Sequence, residues 1–596
     1  MSDSSAKAQT RDRRPRYDLL IIGAGINGAG FARDAAGRGL SIVLCEKDDL
    51  AQGTSSRSGK LIHGGLRYLE YYEFRLVREA LKERSVMLKK APHIIWPMRF
   101  VLPHSPEQRP AWLVRAGLFL YDHLGGKDDL LPGSRSLDLH TCPEGEALKE
   151  RSVMLKKAPH IIWPMRFVLP HSPEQRPAWL VRAGLFLYDH LGGKDDLLPG
   201  SRSLDLHTCP EGEAIKDEYP KGFKYADCWV DDSRLVVLNA LDAARLGAKV
   251  YTRAACTKAT RLADHWEIEL TDTESGDITT LAAKAVINAA GPWVDKVLKG
   301  AFDQGGKDRV KLVKGSHIVL PKRYATANSY LLQNDDKRVI FVNPYEGDKL
   351  LVGTTDIVYE GDPDKVAIDE EEIDYLLGVV NRYFKIPYTH DDILTSFSGI
   401  RPLFDDAQDN PSAVTRDYVF DVSDTNDKAP LLSVFGGKIT TYRKLAEHGL
   451  EKLAPYFPEM GKTWNETAPL PGGDMPGADF ETFLKGLKRD YPWLEETTVT
   501  RYARLYGTIA RQILGEAKRH ADLGEHLGAD LYAVEARYLV EHEWARSAAD
   551  ILERRTKLYL VMRDAEVERV EAWVAREVGE PRGVKTDAHA DSVATS

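Results

Sequence analysis

The stretch Tyr17-Asp-Leu-Leu-Ile-Ile-Gly-Ala-Gly-Ile-Asn-Gly28 is a short apolar run that breaks into three spaced glycines. Tyr17–Ile22 suits a strand buried on both faces of a parallel sheet. Each glycine then answers a geometric need. Gly23 makes a tight turn, Gly25 lets the backbone approach a pyrophosphate, and Gly28 lets helix and strand pack closely. Ala24, Ile26 and Asn27 share that turn. The residues through Arg38 predict a helix whose N-terminus offers unpaired N–H groups and a partial positive charge to phosphates. Leu40–Cys45 predicts a second strand. It ends at Glu46, placed to accept hydrogen bonds from ribose hydroxyls, with Lys47 directly after it. Strand, glycines, helix, strand and acid in register predict a Rossmann-like α/β dinucleotide domain. FAD and NAD both stay open at this point, whereas the acid disfavours NADP.

Working outward, Gly53-Thr-Ser-Ser-Arg-Ser-Gly-Lys-Leu-Ile-His-Gly-Gly-Leu-Arg-Tyr-Leu69 follows. Hydroxyls at Thr54, Ser55, Ser56 and Ser58, then Gly64 and Gly65, suit a loop wrapped around a polar cofactor. Lys60, Leu61 and His63 lie in the same loop.

Next comes an exact repeat. Glu79–Ala147 recurs letter for letter as Glu146–Ala214, and the identity stops where Arg78 faces Gly145 and Leu148 faces Ile215. Solenoid repeats keep a pattern and vary their exposed residues, which an exact copy does not. The expectation is a tandem duplication, and removing 67 of the 596 residues leaves a 529-residue protein. Only one copy fits one slot in the fold. The surplus leaves most cheaply through a loop, at Ser105–Pro110, Gly125–Ser136 or Cys142–Glu146.

Composition narrows the classes. A hydrophobic share of 43% and a charged share of 29% describe a globular chain. A net charge of -9 argues against a dedicated nucleic-acid binder. The five cysteines lack metal-ligand spacing, so a reduced compartment and no metal site are expected. Arg13-Arg14 mimics an export signal, but the apolar run after it ends at once in the glycines. Residues 1–16 and 581–596 read as disordered tails. No run of about 18 uncharged apolar residues is present.

The segment SSRSGKLIHGGLRYL resembles a block of the FAD-dependent glycerol-3-phosphate dehydrogenases, within the D-amino-acid-oxidase-like flavoproteins. Asp227-Cys-Trp-Val-Asp-Asp232, Ile287-Asn-Ala-Ala-Gly-Pro-Trp293, Lys314-Gly-Ser-His-Ile318, Gly353-Thr-Thr-Asp356, Ser398-Gly-Ile-Arg-Pro-Leu403, Thr415-Arg-Asp417 and Phe435-Gly-Gly-Lys-Ile-Thr-Thr-Tyr-Arg-Lys444 continue the resemblance in the family's order. Family members more often carry Ser or Thr where Gly59 stands, a change expected to be tolerated at some loss of local rigidity. The resemblance implies FAD-binding segments near 17–78, 225–300 and 430–455, with the repeat inserted within 79–214. A β-rich substrate domain near 300–430 and an α-helical C-terminal domain over 470–580 complete it. It also implies sn-glycerol 3-phosphate as substrate, a membrane quinone as acceptor, and a peripheral enzyme on the cytoplasmic face of the bacterial inner membrane. A homodimer is compatible with it. Two rivals are an oxidase that uses oxygen and a flavoprotein inactivated by the duplication.

The chemistry implied needs a cation for the phosphate, a base for the hydroxyl proton and a flavin for the hydride. Arginine binds phosphate through two parallel hydrogen bonds, which singles out Arg401, Arg67 and Arg416 beside Lys438. Histidine supplies a base most readily. His317 is the preferred acceptor, with His63 nearer the flavin, and both are read as lying in loops. Tyr68 and Thr441 are placed to orient the substrate. Further cofactor contacts are expected at Ala290, Gly291 and Trp293, at Gly353 and Thr354, and at Gly436, Gly437, Lys438, Ile439 and Thr440. In the C-terminal part, Val567, Val570, Trp573, Val574 and Val578 form a helical stripe that reads as core and is stopped at Gly579-Glu-Pro581.

Overall fold

The computed structural model describes residues 14–62, 80, 83, 84, 86–103, 202–304, 309–336, 338–404, 418–424 and 428–579; for 96–103, 202, 203, 223 and 225–227 this extends to the backbone alone. Two sheets organise it. In the first, Leu431–Phe435, Ile278–Asn288, Arg16–Ile22, Ile42–Cys45 and Lys249–Tyr251 run parallel in that order. Leu19, Leu20 and Ile21 are fully buried, as a strand covered on both faces requires. The helix Ile26–Gly37 covers one face together with Asp232–Arg245 and Tyr442–Leu453. The expected N-terminal tail ends early: Arg14 pairs with Glu267, and Arg16 opens the first strand.

The second sheet builds the substrate side. Its path among the described residues is Ile357–Val358, Val310–Pro321, Lys349–Gly353, Val339–Tyr345, Ser329–Gln333, Ile95–Pro103, Lys221–Val230 and Leu61–Ile62. Thr395–Phe404 pairs with the other side of Val310–Pro321. This sheet therefore recruits strands well before residue 300, and the stretch 300–430 is only part of it. Val419–Ser423 pairs instead with Leu431–Phe435 in the first sheet.

The same sheet shows how the repeat is threaded. Ile95–Pro103 comes from the first copy and pairs with Lys221–Val230 along nine residues. Arg202–Asp205 comes from the second copy and pairs with that same strand on its other side. A single slot is thus filled by the front of one copy and the back of the other. Residues 104–201, between these two strands in the chain, lie outside the described residues. The pairing corrects the Cys142–Glu146 exit, because a first copy docked that far would pair through Arg135–Asp138 in place of the identical Arg202–Asp205. Ser105–Pro110 and Gly125–Ser136 lie outside the described residues.

The C-terminal helices Phe480–Asp490, Glu496–Tyr506, Ala533–His542 and Asp564–Val578 share one hydrophobic core with Ile26, Met87, Val230 and Leu235. Val570, Trp573 and Val574 are buried in it. Gly579, at φ +69°, ends the last helix. Among the described residues no helix is long and apolar enough to cross a membrane.

Candidate active site

Three parallel strands end side by side, with Ile22 opposite Asn288 and Asn288 opposite Ser433. Carboxyl ends of such strands are where open α/β sheets bind ligands. Two glycines of the turn out of the first strand tolerate no side chain. Gly23 sits at φ +94°, and a Cβ there would lie 2.8 Å from the Ala289 carbonyl oxygen and 2.9 Å from Ala290 Cα. A Cβ on Gly28 would lie 1.8 Å from the Gly23 carbonyl oxygen. Above Gly25 the nearest atom is Ser55 Oγ, 3.1 Å from such a Cβ, and that hydroxyl accepts from Ile26 N at 2.9 Å.

Glu46 closes the other end of this cradle. Its carboxylate accepts from Ala24 N at 2.8 Å and Asp48 N at 3.1 Å, and burial pushes its pKa up to about 7. Lys47 lies 4.8 Å from the Trp293 ring centroid and pairs with Asp364 at 2.8 Å, while Trp293 Nε1 donates to the same carboxylate at 3.1 Å. Across the strand ends, Gly436 and Gly437 both have positive φ, and Asn27 Nδ2 donates to the Gly436 carbonyl at 3.2 Å. Lys438 and the turn Ile439–Thr441 lead into the helix Tyr442–Leu453. Thr440 and Thr441 are buried. Thr441 Oγ1 and Asn27 Oδ1 are buried with no hydrogen-bond partner among the described residues. A glycine cradle, a strand-end acid and two orphaned polar atoms at one sheet edge fit a bound dinucleotide.

The loop after Gly53 is tied down from several sides. Thr54 Oγ1 donates to the Ile400 carbonyl, and Ser56 Oγ to the Gly53 carbonyl at 3.4 Å. Ser58 Oγ donates to Asp232 at 2.8 Å, and Lys60 Nζ pairs with the same carboxylate at 2.8 Å. Leu61 pairs with Trp229 in the substrate sheet. Lys60 is thus committed to Asp232, which sequence reasoning passed over inside the Asp227–Asp232 block.

His317 corrects its loop assignment. It lies in the middle of the strand Val310–Pro321, opposite Phe397 on one neighbour and Gly353 on the other. Its ring stacks on Phe397 with centroids 4.9 Å apart, and a Cβ on Gly353 would come 2.1 Å from its Cδ2. A Cβ on Gly59 would stand 3.7 Å from His317 Nε2, so the Ser or Thr of the family would meet ordinary contact there. Burial, then Arg401 and Lys60, lower the His317 pKa to about 3. The imidazole is therefore neutral, with Nδ1 buried and unpartnered among the described residues.

Arg401 stands opposite Val313 in the strand pairing. It donates to Asp356 at 2.5 Å, to Thr354 Oγ1 at 3.2 Å and to the Thr355 carbonyl at 3.1 Å. Glu372 anchors that loop from the helix Glu370–Tyr383, accepting from Thr355 Oγ1 at 2.7 Å and Ser316 Oγ at 2.9 Å. Nothing in the run Asp369-Glu-Glu-Glu marked which acid turns inward. The structure thus brings His317, Arg401, Gly353 and Thr354 together. His63, Gly64, Gly65, Arg67, Tyr68 and Arg416 lie outside the described residues.

Comparison with known proteins agrees with this geometry. Residues 18–142 and 144–443 match the family described as FAD dependent oxidoreductase. Residues 465–584 match the C-terminal domain of alpha-glycerophosphate oxidase. The chain is 53% identical to D-erythritol 1-phosphate dehydrogenase of Brucella abortus, over 93% of this chain and 97% of the relative. It is 47% identical to glycerol-3-phosphate dehydrogenase of Pseudomonas aeruginosa, over 94% and 95%, and 45% identical to the aerobic enzyme of Escherichia coli, over 94% and 97%. The solved glycerol-3-phosphate dehydrogenase of Bacillus halodurans, complexed with FAD, superposes with a TM-score of 0.65 at 26% identity, covering 94% of this chain and 90% of that one. By these matches the chain belongs to the FAD-dependent glycerol-3-phosphate dehydrogenase family.

Proposed function

We propose that this enzyme oxidises a secondary hydroxyl of a small phosphorylated polyol, glycerol 3-phosphate first, to the ketone, giving dihydroxyacetone phosphate. The observation that carries the reading is a buried neutral His317 beside Arg401, on the sheet that faces the dinucleotide cradle. Bound FAD supplies the acceptor for the hydride. The chain's own residues supply charge, orientation and proton transfer. Arg401 holds the phosphate, aided by Lys438, Arg67 and Arg416, while Tyr68 and Thr441 orient the hydroxyls. His317 accepts the hydroxyl proton, with His63 nearer the flavin. The low basicity of His317 reflects its burial and two neighbouring cations. A phosphate dianion between those cations offsets their repulsion and raises the imidazole pKa when the base is needed. Electrons pass onward to a membrane quinone at the cytoplasmic face of the inner membrane, where the enzyme sits as a peripheral protein.

A second reading concerns chain length. The 53% identity to a D-erythritol 1-phosphate dehydrogenase favours a four-carbon substrate, longer by one CHOH unit. The test is kcat/KM for both phosphates with a soluble quinone. A tenfold preference for either assigns the substrate, and turnover of neither overturns the proposal. Peroxide formed in place of quinol identifies an oxidase, and a bound flavin that no substrate bleaches identifies an inactive protein.

A further inference from the structure

A chain of buried charges joins the C-terminal domain to the cofactor loop, and the substrate chemistry above makes no use of it. Asp49, three residues past Glu46, is fully buried. Its carboxylate is held by Arg554 Nε at 2.6 Å and by Arg555 Nη1 and Nη2 at 2.6 and 2.8 Å, with Arg253 at 3.3 Å. Burial alone would push the Asp49 carboxyl up; Arg555, Arg554 and Arg253 overrule it and hold it below the usual carboxylate range. The two C-terminal arginines end a six-residue π-helical turn, Asp550–Arg555, a form often found at functional sites. Two residues on, Lys557 sits at φ +60° with its buried ammonium on Asp231 and, at 2.8 Å, on Ser233 Oγ. Asp231 adjoins Asp232, the acid that receives Ser58 and Lys60.

The segment 554–557 therefore grips one end of the loop from Asp49 to Lys60 directly, at Asp49, and reaches the other end, at Ser58 and Lys60, through the Asp231–Asp232 pair that Lys557 holds. That loop carries Thr54, Ser55 and Ser56, and Ser55 reaches the glycine turn through Ile26 N. A domain staple would need only one such contact anywhere along the interface. Here one clamp falls on the loop itself and the other on the acid pair that holds its far end, and both are buried, charge-assisted contacts, the kind whose loss is costly.

We propose that Arg555 and Lys557 are positioning residues for FAD, through which the C-terminal domain holds the 49–60 loop in its cofactor-binding position. The inference concerns flavin retention and does not depend on which polyol phosphate is oxidised. The test uses the full-length chain stripped of flavin and titrated with FAD, following flavin fluorescence and the visible spectrum of the bound form. Arg555→Met and Lys557→Met fill the same space without the charge. Each is expected to weaken FAD binding at least tenfold and to shift the bound flavin spectrum. Arg537→Ala breaks an exposed pair with Glu577 in the same domain and is expected to stay within twofold. FAD affinity within twofold of the parent in either folded Met variant overturns the proposal. If neither folds, Arg555→Lys decides, because it keeps the buried charge and loses only the fork: a loss of more than twofold supports the proposal, and a loss of twofold or less overturns it.

Discussion

At the scale of single residues, the site is set by charges that burial makes expensive. Arg401 lies against its own acid, Asp356, in a partly buried pocket. If it holds the substrate phosphate, Arg401→Ala should cost about 2–5 kcal/mol in kcat/KM, the penalty for losing one partner of a desolvated pair. FAD content should survive, and unchanged kinetics would place Arg401 outside the pocket. Glu46 yields a pH dependence. Its folded pKa of about 7 lies above the usual value of about 4.3. In the apoprotein its contribution to stability is fully present below the unfolded pKa and lost as pH rises through about 7. If Glu46 accepts hydrogen bonds from the ribose hydroxyls, those donors favour the carboxylate and FAD binding displaces that proton. FAD affinity of the apoprotein should fall by up to about tenfold per unit as pH drops below 7, and level off above it. Reconstitution at several pH values measures this, and a flat profile would remove Glu46 from the adenosine site. Sequence reasoning read Gly315 and Ser316 as a loop around His317 and missed a strand. Gly315 is instead a place of close approach, since a Cβ there would lie 2.3 Å from Arg401 Nη2. A glycine in sequence does not say which of the two it marks.

At the scale of elements, the strand–turn–helix at Tyr17–Arg38 was legible because its apolar run, its glycine spacing and its acid all answer to one geometry. The structure returns Arg16–Ile22 and Ile26–Gly37 at the expected places. Gly25→Val tests what that turn is for. A bulky β-branched side chain pointing at Ser55 would close the space over the backbone, so the protein should purify colourless. A variant that keeps its full complement of flavin would move the pyrophosphate elsewhere. Less legible was which strands form the substrate sheet. Leu61–Ile62, Ile95–Pro103 and Lys221–Val230 join it by long-range pairing that no local pattern encodes. The buried Glu372, the last of four consecutive acids, was invisible for the same reason: its inward turn depends on Ser316 and Thr355, far away in the chain.

At the scale of the whole molecule, the repeat gives one fold two identical donors. Its exactness was plain from sequence. Its threading was not, because identical copies differ in no local preference and long-range contacts, such as the pairing around Lys221–Val230, are what tell them apart. Glu83 of the first copy forms a buried pair with Arg443, so Glu83→Ala should destabilise the protein by about 3–5 kcal/mol. The same change at Glu150, its counterpart in the second copy, should leave the thermal midpoint where it was. Equal effects at both positions would refute the threading. Deleting Ala147–Glu213 leaves the same 529-residue chain as deleting Ala80–Glu146. Either open exit leaves in the surplus Ile161-Ile-Trp163 and one of the identical runs Leu118-Phe-Leu-Tyr121 and Leu185-Phe-Leu-Tyr188, apolar stretches that favour aggregation when no slot is left for them. The shortened chain should show higher soluble yield and at least equal activity per flavin, and lost activity would reveal a function for the second copy.

The central claim, that a flavin and an anion-holding cation act together on a phosphorylated polyol, is tested most directly by anaerobic titration of the purified yellow protein. Glycerol 3-phosphate or D-erythritol 1-phosphate should bleach the visible flavin absorbance fully and saturably, and unphosphorylated glycerol and erythritol should not. A flavin that stays oxidised with both phosphates, or that bleaches equally well with the free polyols, would contradict the account.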